Sequence, residues 1–293
     1  MNEKVTFLGP VGATFSHDAY TLLADRYGAP KAIEAGEHTN CVPATTNGEI
    51  LTRIKEHGGY GAIAMETFAE GRVAEPLESF IKLLPDHHFP QRPAFHIIGA
   101  VNLNIHFCLM VKPGMSKNNI TKILLHPKAL GPCRINLKTL GVPIIHVSSN
   151  GEAARLIAED PAHSTRAALG PESAAERYGL DILCHAFEDL MAVTTFFLIG
   201  PESHGKVTGA NNRVLIVFKT QHEPGFLVKC LQPFADEKLN LVQIHSMHAG
   251  HRTYHFAIEL ELMKQELHAF DAAMEKFKAT SYEYLCFGPF EVA

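Results

Sequence analysis

The stretch Gly9-Pro10-Val11-Gly12-Ala13-Thr14-Phe15-Ser16-His17 joins a short apolar run, Val5–Leu8, to an amphipathic segment, Ser16–Tyr27. The run predicts a β-strand, and the segment predicts an α-helix whose N-cap is Thr14 or Ser16. The glycines let the backbone turn tightly, and free amides at the start of a helix suit an oxyanion or carboxylate. The stretch predicts an α/β fold with an anion-binding turn after its first strand. The alternative is a glycine-rich turn with an ordinary N-cap.

Composition and charge restrict the classes of partner. The chain has 293 residues, of which 19% are charged and 46% apolar, and its formal charge is −5. This balance provides no basic surface for nucleic acid or for an anionic membrane. The glycine spacing in residues 9–17 fits neither the dinucleotide fingerprint nor the P-loop. We therefore expect a small-molecule substrate, no nucleic acid and no membrane.

Signals for targeting and for metal binding are weak. The N-terminal segment lacks the apolar core of a signal peptide, and no apolar run approaches the ~18 residues of a membrane span, so we expect a cytoplasmic protein. The six cysteines are isolated, which favours reduced thiols over disulfides or zinc. The spacing His245-x-x-His248-x-x-His251 falls at a strand end and turn, which argues against a metal site. We expect no metal and no cofactor.

Strand and helix patterns divide the chain into parts. Apolar strands alternate with helical segments over residues 1–200, which is typical of an α/β domain with mostly parallel sheets, and a second lobe spans about 95–180. The polar, glycine-rich residues 201–212 predict a linker. Residues 213–293 follow a βαββαβ order with an antiparallel sheet, the ferredoxin-like arrangement. In the second lobe, we predict a strand at His106–Val111 and one helix over Lys128–Leu140.

Four segments of the larger domain resemble prephenate dehydratases, in the same order and with similar spacing. They are Gly9–His17, Tyr60–Val73, which resembles a strand ending in Pro-x-Glu-Asn-Ser-x-x-Gly-x-Val, His126–Cys133, which is similar to His-Pro-Gln-Ala-Leu-x-Gln-Cys, and Ala167–Leu180. The resemblance implies a two-lobed catalytic domain like type II periplasmic binding proteins, with prephenate between the lobes. It covers almost the whole chain.

The C-terminal part resembles the ACT regulatory domain that follows the catalytic domain in this family. Glu223-Pro224-Gly225-Phe226-Leu227 and Leu239-Asn240-Leu241 carry that similarity. The resemblance implies a homodimer or homotetramer and an amino-acid effector. Where the family has the phenylalanine-binding Glu-Ser-Arg-Pro, this chain reads His245-Ser246-Met247-His248, so the alternative is a domain that only assembles the oligomer.

Several family positions are replaced in the catalytic half. The dehydratase motif Asn-x-Thr-Arg-Phe reads Ala192-Val193-Thr194-Thr195-Phe196, so an amide and a permanent cation are lost. The motif Glu-Asn-Ser reads Glu66-Thr67-Phe68, and Pro132 stands at a glutamine position. These changes predict a less polar pocket than that of the family.

The replacements bear on the reaction. Dehydration of prephenate with loss of carbon dioxide requires help for the departing hydroxyl, and removing one stabilising donor costs on the order of 10²–10³ in rate. Decarboxylation without aromatisation needs no hydroxyl departure and is favoured by a desolvated carboxylate. We therefore favour a lyase of the prephenate decarboxylase type, similar to enzymes of non-ribosomal antibiotic pathways, giving a dihydro-hydroxyphenylpyruvate. The alternatives are a dehydratase of phenylalanine biosynthesis, with Arg53, Arg72 or Arg134 as a substitute cation, and a catalytically silent binding protein.

The resemblance and the chemistry together select the candidate site residues. His17 is the first choice for the acid, and His106 and Glu66 are alternatives. The predicted catalytic residues are Thr194, Thr195, His17 and Glu66. The predicted substrate-binding residues are Gly12, Thr14, Ser16, Thr67, Phe68 and His106. The predicted regulatory residues are Gly225, Phe226, Leu227, His245 and Ser246.

Overall fold

The structure is a computed structural model that describes residues 3–33, 39–67, 71–72, 74–84, 93–161, 164–201, 212–248, 254–281 and 283–293. The chain packs into two compact units. The first comprises Met1–Ile54, Gly59–Val73 and Val101–Leu198, and the second comprises Lys55–Gly58, Ala74–Ala100 and Ile199–Ala293. The predicted boundary at residues 201–212 stays a prediction.

The strands and helices alternate along most of the chain, as the sequence patterns predict. In chain order they are β1 (Val5–Leu8), α1 (Phe15–Tyr27), β2 (Cys41–Ala44), α2 (Asn47–His57), β3 (Tyr60–Thr67), β4 (Gly71–Arg72), α3 (Ala74–Ile81), β5 (His96–Asn104), β6 (Cys108–Val111), β7 (Lys122–Leu125), α4 (Arg134–Leu140), β8 (Ile144–His146), α5 (Asn150–Glu159), β9 (Arg166–Gly170), α6 (Glu172–Tyr178), β10 (Asp181–Cys184), β11 (Val193–Gly200), β12 (Asn212–Lys219), α7 (Phe226–Asp236), β13 (Asn240–His248), β14 (Tyr254–Leu262), α8 (Leu267–Thr280) and β15 (Tyr284–Glu291).

Two sheets carry the α/β part. The first has the order β2-β1-β3-β11-β5, with β4 paired to β3, and β1 runs parallel to β2 and β3. The second has the order β10-β6-β9-β7-β8, in which β7 runs parallel to β8 and β9. The α/β fold class is therefore confirmed. The loops after parallel strands that share a sheet edge are brought together there, which is where α/β proteins build sites.

The third sheet is antiparallel and has the order β13-β14-β12-β15. With α7 and α8, it gives the predicted βαββαβ order. One core in this unit joins buried side chains of β12 to Phe234 of α7 and Phe277 of α8. Phe287 of β15 stacks at 5.7 Å on Phe95 and meets the ring of Phe80 from α3 at 5.1 Å. Burying each such ring stabilises the fold by roughly 1.5–3 kcal/mol.

Two local predictions in the α/β part need correction, and one strand was missed. The single helix predicted over residues 128–140 is a 3-10 turn at Pro127–Ala129 followed by α4. The interruption falls at Gly131-Pro132, where proline offers no amide to continue a helix. His106 lies before β6 and outside it, and β2, which contains Pro43, was not predicted.

Two further observations concern membrane and metal binding. None of the helices in the described residues is long and apolar enough to cross a bilayer. Among those residues, no group of three or more His, Cys, Asp or Glu side chains is arranged to hold a metal ion. All six cysteines are free thiols. His251 of the histidine spacing lies outside the described residues.

Candidate active site

The turn after β1 is built around Thr14. Thr14 is the N-cap of α1, and its Oγ1 accepts a hydrogen bond from the His17 amide at 3.2 Å while donating one to the Leu8 carbonyl at 2.8 Å. Gly12 has a φ of 70°, in the left-handed region that favours glycine. Since the Thr14 hydroxyl hydrogen is held by Leu8, Thr14 could still accept a hydrogen bond but not donate one. Ser16 is buried in the first turn of α1.

A second helix starts against this turn. A Cβ on Gly151, in the first turn of α5, would lie only 2.3 Å from the Ala13 carbonyl oxygen, so the close approach requires glycine. The α5 N-cap is Ser149, whose hydroxyl accepts the Glu152 amide at 3.0 Å. Each helix start carries a partial positive charge, so two of them at one turn could together hold an anion. The first and second sheets therefore contribute one helix start each.

His17 is packed at the edge of this turn. Its side chain is 12% exposed, and its ring meets Phe7 edge-on at 5.0 Å. Nδ1 lies 3.7 Å from Asp18 Oδ1, and the Ser173 hydroxyl of α6 donates to Asp18 Oδ2 at 3.0 Å. Asp18 therefore links the imidazole region of α1 to α6.

Thr194 and Thr195 are buried on β11, between β3 and β5. Consecutive strand residues face opposite sides of a sheet, so the two hydroxyls point in different directions. The Thr195 hydroxyl donates to Asn102 Oδ1 of β5 at 2.8 Å. Asn102 itself is exposed, which leaves its amide NH₂ accessible. A neutral hydroxyl–amide pair is therefore fixed at the second threonine of the motif.

His106 forms an imidazole–carboxylate pair with Glu188. Its Nδ1 lies 2.7 Å from Glu188 Oε1, and Glu188 Oε2 accepts the Phe107 amide at 2.8 Å. The His106 side chain is 65% exposed, whereas that of Glu188 is 10% exposed. The ring of Phe107 meets that of Phe15, the first residue of α1, at 5.4 Å. The pair therefore lies on a segment that packs against the start of α1.

His126 has a structural position close to α5. Its amide donates to Asn150 Oδ1 at 2.8 Å, and its Nδ1 accepts the Lys128 amide at 3.3 Å as the cap of the 3-10 turn. Burial lowers the pKa of His126, and the charges of Lys128 and His146 lower it further. The position of His126 is therefore explained by a structural role, in which its neutral imidazole accepts a backbone hydrogen bond.

The family assignment follows from comparison with known proteins. The family model described as prephenate dehydratase matches residues 5–204. This chain belongs to the prephenate dehydratase family. A relative from Methanocaldococcus jannaschii, named prephenate dehydratase, is 32% identical over 280 residues, which cover 94% of each chain.

Solved structures support the fold over nearly the whole length. The prephenate dehydratase of Arthrobacter aurescens, solved in complex with L-Phe, has a TM-score of 0.79 at 23% identity, covering 98% of this chain and 90% of its own. A quorum-quenching acylase, GqqA, has a TM-score of 0.69 at 20% identity, covering 98% and 97%. At these identities the likeness concerns the fold alone, a two-lobed catalytic domain with an ACT-type domain.

The remaining family positions are only partly described. Glu66 and Thr67 end β3, where their backbones pair with Arg72 and Gly71 of β4, and nothing is described of their side chains. Phe68 lies outside the described residues. Arg53 makes hydrogen bonds of 2.8 and 2.6 Å to Glu49 along α2, so it is already paired with a carboxylate. The roles predicted for these residues stay predictions.

The ACT-type region has a small pocket at the start of α7. Gly225, with a φ of 78°, is the N-cap of that helix and has no side chain to cap its first amides, and Leu227 is half-buried in the first turn. Phe226 lines a pocket of about 220 Å³ together with Lys219 and Glu283, whose charged atoms are 2.9 Å apart.

The predicted regulatory strand residues lie elsewhere in that region. His245 and Ser246 belong to β13, opposite Ala257 and Phe256 of β14. They do not line the pocket at the start of α7. The predicted regulatory residues therefore lie at two places: Gly225, Phe226 and Leu227 at the start of α7, and His245 and Ser246 on β13.

Two site features escaped the sequence analysis. Glu188 and His106 are 82 positions apart, and Asn102 and Thr195 are 93 apart. The sequence does contain a signal for Asn102, because asparagines at positions 102 and 104 interrupt an otherwise apolar strand. No comparable signal marked Glu188, because one acid in a polar loop resembles any other.

Proposed function

We propose that this protein is a lyase acting on prephenate and that its reaction is dehydration with decarboxylation to phenylpyruvate. The observation that carries the proposal is the close approach of Gly151 to Ala13, which joins two helix starts into one anion site. Prephenate is a dianion, so it suits such a site. The M. jannaschii relative, 32% identical over 94% of the chain, is named prephenate dehydratase. That name favours dehydration over the decarboxylation that the sequence alone favours.

In the proposed reaction, the ring hydroxyl gains a proton and leaves as water. The ring carboxylate leaves as carbon dioxide, and the electron pair of the broken carbon–carbon bond completes the aromatic ring. The protein must supply the proton and stabilise the negative charge. The α1 and α5 starts would hold a carboxylate, and Asn102 would offer its amide NH₂ beside Thr195.

We propose His106 as the proton donor ahead of His17. Glu188 holds Nδ1 of His106 at 2.7 Å, which would orient the ring and leave Nε2 as the donor, and the side chain is 65% exposed. His17 is only 12% exposed and packs edge-on against Phe7. His17 would then support the turn through packing, with Asp18 and Ser173 joining α1 to α6.

A second candidate reaction is decarboxylation without aromatisation. The observation that favours it is the neutral pair of Thr195 and Asn102, at the position where family dehydratases carry an arginine. Carbon dioxide would leave, its electron pair would form a new ring double bond, and a ring carbon would gain a proton. The names of the relatives lend this reaction no support.

Proton NMR of prephenate with the purified protein distinguishes the candidates, with a sample lacking protein as the control for spontaneous breakdown. We expect aromatic phenylpyruvate signals. Vinylic ring signals with loss of one carboxyl group would replace the proposal by the second candidate. Prephenate that binds, seen as line broadening, but stays unchanged would indicate a catalytically silent binding protein.

We also infer that an amino acid binds the ACT-type region. The A. aurescens structure is described as a complex with L-Phe. In this chain, the ion pair of Lys219 and Glu283 lines a pocket of about 220 Å³ beside the start of α7, where the ammonium and carboxylate of an amino acid would exchange partners with it. Thermal unfolding with each of the common amino acids tests this inference. A melting temperature that no amino acid raises would contradict it.

A further inference from the structure

A groove of about 560 Å³ runs along α4 on the second sheet. Its volume falls within the ~300–1,000 Å³ range of small-molecule sites. The apolar residues lining it are Leu130, Leu137, Val142 and Ile144, and its cations are Arg134 and Lys138. None of these six residues is among the predicted catalytic or substrate-binding residues, although Arg134 is one of the three arginines considered as a substitute cation.

The groove exists because the sheet edge is incompletely covered. β8 is the last strand of its sheet, and Ile145 packs into the core beneath it while Ile144 faces the opposite side and is 38% exposed. The helix on that side, α4, has seven residues and is therefore only about 10 Å long. The gap beside α4 leaves apolar surface in contact with solvent, which favours a ligand with an apolar body.

The charge of the groove is positive. Arg134 and Lys138 are one helical turn apart, so they project from the same side of α4. Neither makes an ion pair with any residue that the structure describes, and no acidic side chain lines the groove. Asp189, a carboxylate at the start of α4, accepts the Ile135 and Asn136 amides at 2.6 and 2.9 Å. In a chain of net charge −5, this is a local excess of positive charge.

We propose that the α4 groove binds a small hydrophobic carboxylate, such as an aryl- or branched alkanoate, as a free metabolite. The carboxylate would pair with Arg134 and Lys138, because guanidinium and ammonium groups form charge-assisted hydrogen bonds with it. The ring or branched chain would lie against Leu137, Val142 and Ile144. A phosphate would keep its hydration shell and gain little from these apolar walls. The proposal does not depend on the proposed reaction.

The probe for this proposal is 3-phenylpropionate, measured by isothermal titration with the full-length protein. Two analogues of the same shape, the neutral 3-phenylpropionamide and the cationic 3-phenylpropylamine, are the chemical controls. We expect the acid to bind at least about tenfold more tightly than the amide, which corresponds to one lost charge-assisted contact. Raising the salt concentration from 0.05 to 0.5 M should weaken binding of the acid and not that of the amide.

The variant R134Q/K138Q tests the contribution of the groove's two cations, because both residues are exposed and removing their charges leaves the core unchanged. Its matched control is K117Q/K122Q, which removes two exposed cations from the same unit. We expect the first variant to lose acid binding at least tenfold and the control to keep it.

Acid binding that survives in R134Q/K138Q would place the ligand elsewhere, the proposed active site included, and would overturn the proposal. Equal binding of the acid and the amide, or no binding of the acid, would also overturn it. A second variant, Ile144→Asp, places a negative charge on the groove wall and should abolish binding of the acid. Circular dichroism melting of each variant verifies that it is folded.

Discussion

At the scale of single residues, Gly151 sets the tightest geometric requirement in the candidate site. A methyl group there would lie 2.3 Å from the Ala13 carbonyl and 2.9 Å from Pro10 Cδ, so α5 and the turn after β1 would have to separate. We expect Gly151→Ala to lower the free energy of unfolding by about 2–4 kcal/mol and to weaken prephenate binding. Urea unfolding and titration calorimetry measure the two effects.

Gly179→Ala is the matched control for this prediction. Gly179 ends α6 with a φ of 63°, and a methyl group there meets nothing within 4 Å. Gly179→Ala should lower the free energy of unfolding by about 1 kcal/mol, because only the backbone conformation becomes less favourable. It should leave prephenate binding unchanged. Equal losses in the two variants would mean that the contact at Ala13 has no special role.

The pair of His106 and Glu188 supports a prediction about rate. If His106 donates the proton, His106→Asn should lower kcat by about 10²–10⁴ with little change in KM. Glu188→Gln should have a smaller effect, because it removes the group that orients the ring and keeps the ring itself. Steady-state kinetics by the appearance of phenylpyruvate checks both variants.

His185→Asn provides the comparison for the histidine variant. His185 is 67% exposed and lies 3.5 Å from Glu172, so it reproduces an exposed histidine–glutamate pair to which the proposed reaction gives no role. Its kcat should equal that of the wild type. A His106→Asn enzyme with normal kcat would return the assignment to His17 or Glu66.

At this scale, the sequence predicts single functional residues better than it predicts which residues they form hydrogen bonds with. Thr14 was one of two predicted caps, and the structure confirms it because the strand–turn–helix pattern is local. Glu188 and Asn102 could not be found, because hydrogen bonds that span 82 and 93 positions leave no periodicity along the chain. Such partners become visible only when the sheet order brings their strands and loops together.

At the scale of elements, α2 offers a prediction about pH. Glu49 accepts hydrogen bonds from the Thr45 amide and hydroxyl, both at 2.7 Å, and also binds Arg53. These bonds, led by that from the Thr45 amide, lower the pKa of Glu49 to about 2 from 4.5. A lowered pKa contributes stability that is complete above pH 4.5 and is lost as the pH falls towards 2.

We expect Glu49→Gln to lower the free energy of unfolding by about 1 kcal/mol at pH 7, since the side chain is 30% exposed and partly screened. The difference in the free energy of unfolding between Glu49→Gln and the wild type should fall by roughly half at pH 3. Urea unfolding at several pH values measures it. Glu56→Gln, on the same helix and 59% exposed, should differ little from wild type at any pH. A difference for Glu49→Gln that does not depend on pH would argue against this account.

Elements were predictable where a pattern was long and uninterrupted. The order of β12, α7, β13, β14, α8 and β15 follows from alternating strands and two amphipathic helices, and the structure has that order. The helix predicted over 128–140 failed because hydrophobic spacing continued through Gly131-Pro132, where the backbone cannot continue a helix. β2 has four residues with a proline among them, too short and too irregular for a strand signal.

At the scale of the whole molecule, β13 leads to a prediction about assembly. It is an edge strand of the third sheet, and Leu241, Val242 and Ile244 on it are 37%, 38% and 44% exposed. An exposed apolar edge is a surface on which another strand can pair. We therefore expect the protein to be a homodimer or homotetramer and Ile244→Lys to reduce its mass in solution.

Light scattering after size-exclusion chromatography measures this change. Val228→Lys, on α7 and 62% exposed, adds the same charge to a helix of the same unit and should leave the mass unchanged. A wild-type protein that is already monomeric would refute self-association through β13. Loss of assembly in both variants would point to a helix surface instead.

The position of β11 in the first sheet has a consequence for synthesis on the ribosome. β11 lies between β3 and β5, although it follows β3 by more than 120 residues. At about 5–20 residues per second, translation leaves β3 without this neighbour for roughly 6–25 s. During that interval the nascent chain exposes the edge of β3 that later pairs with β11. The yield of native protein in cells should therefore depend on chaperones that shield the chain until residue 200 has emerged.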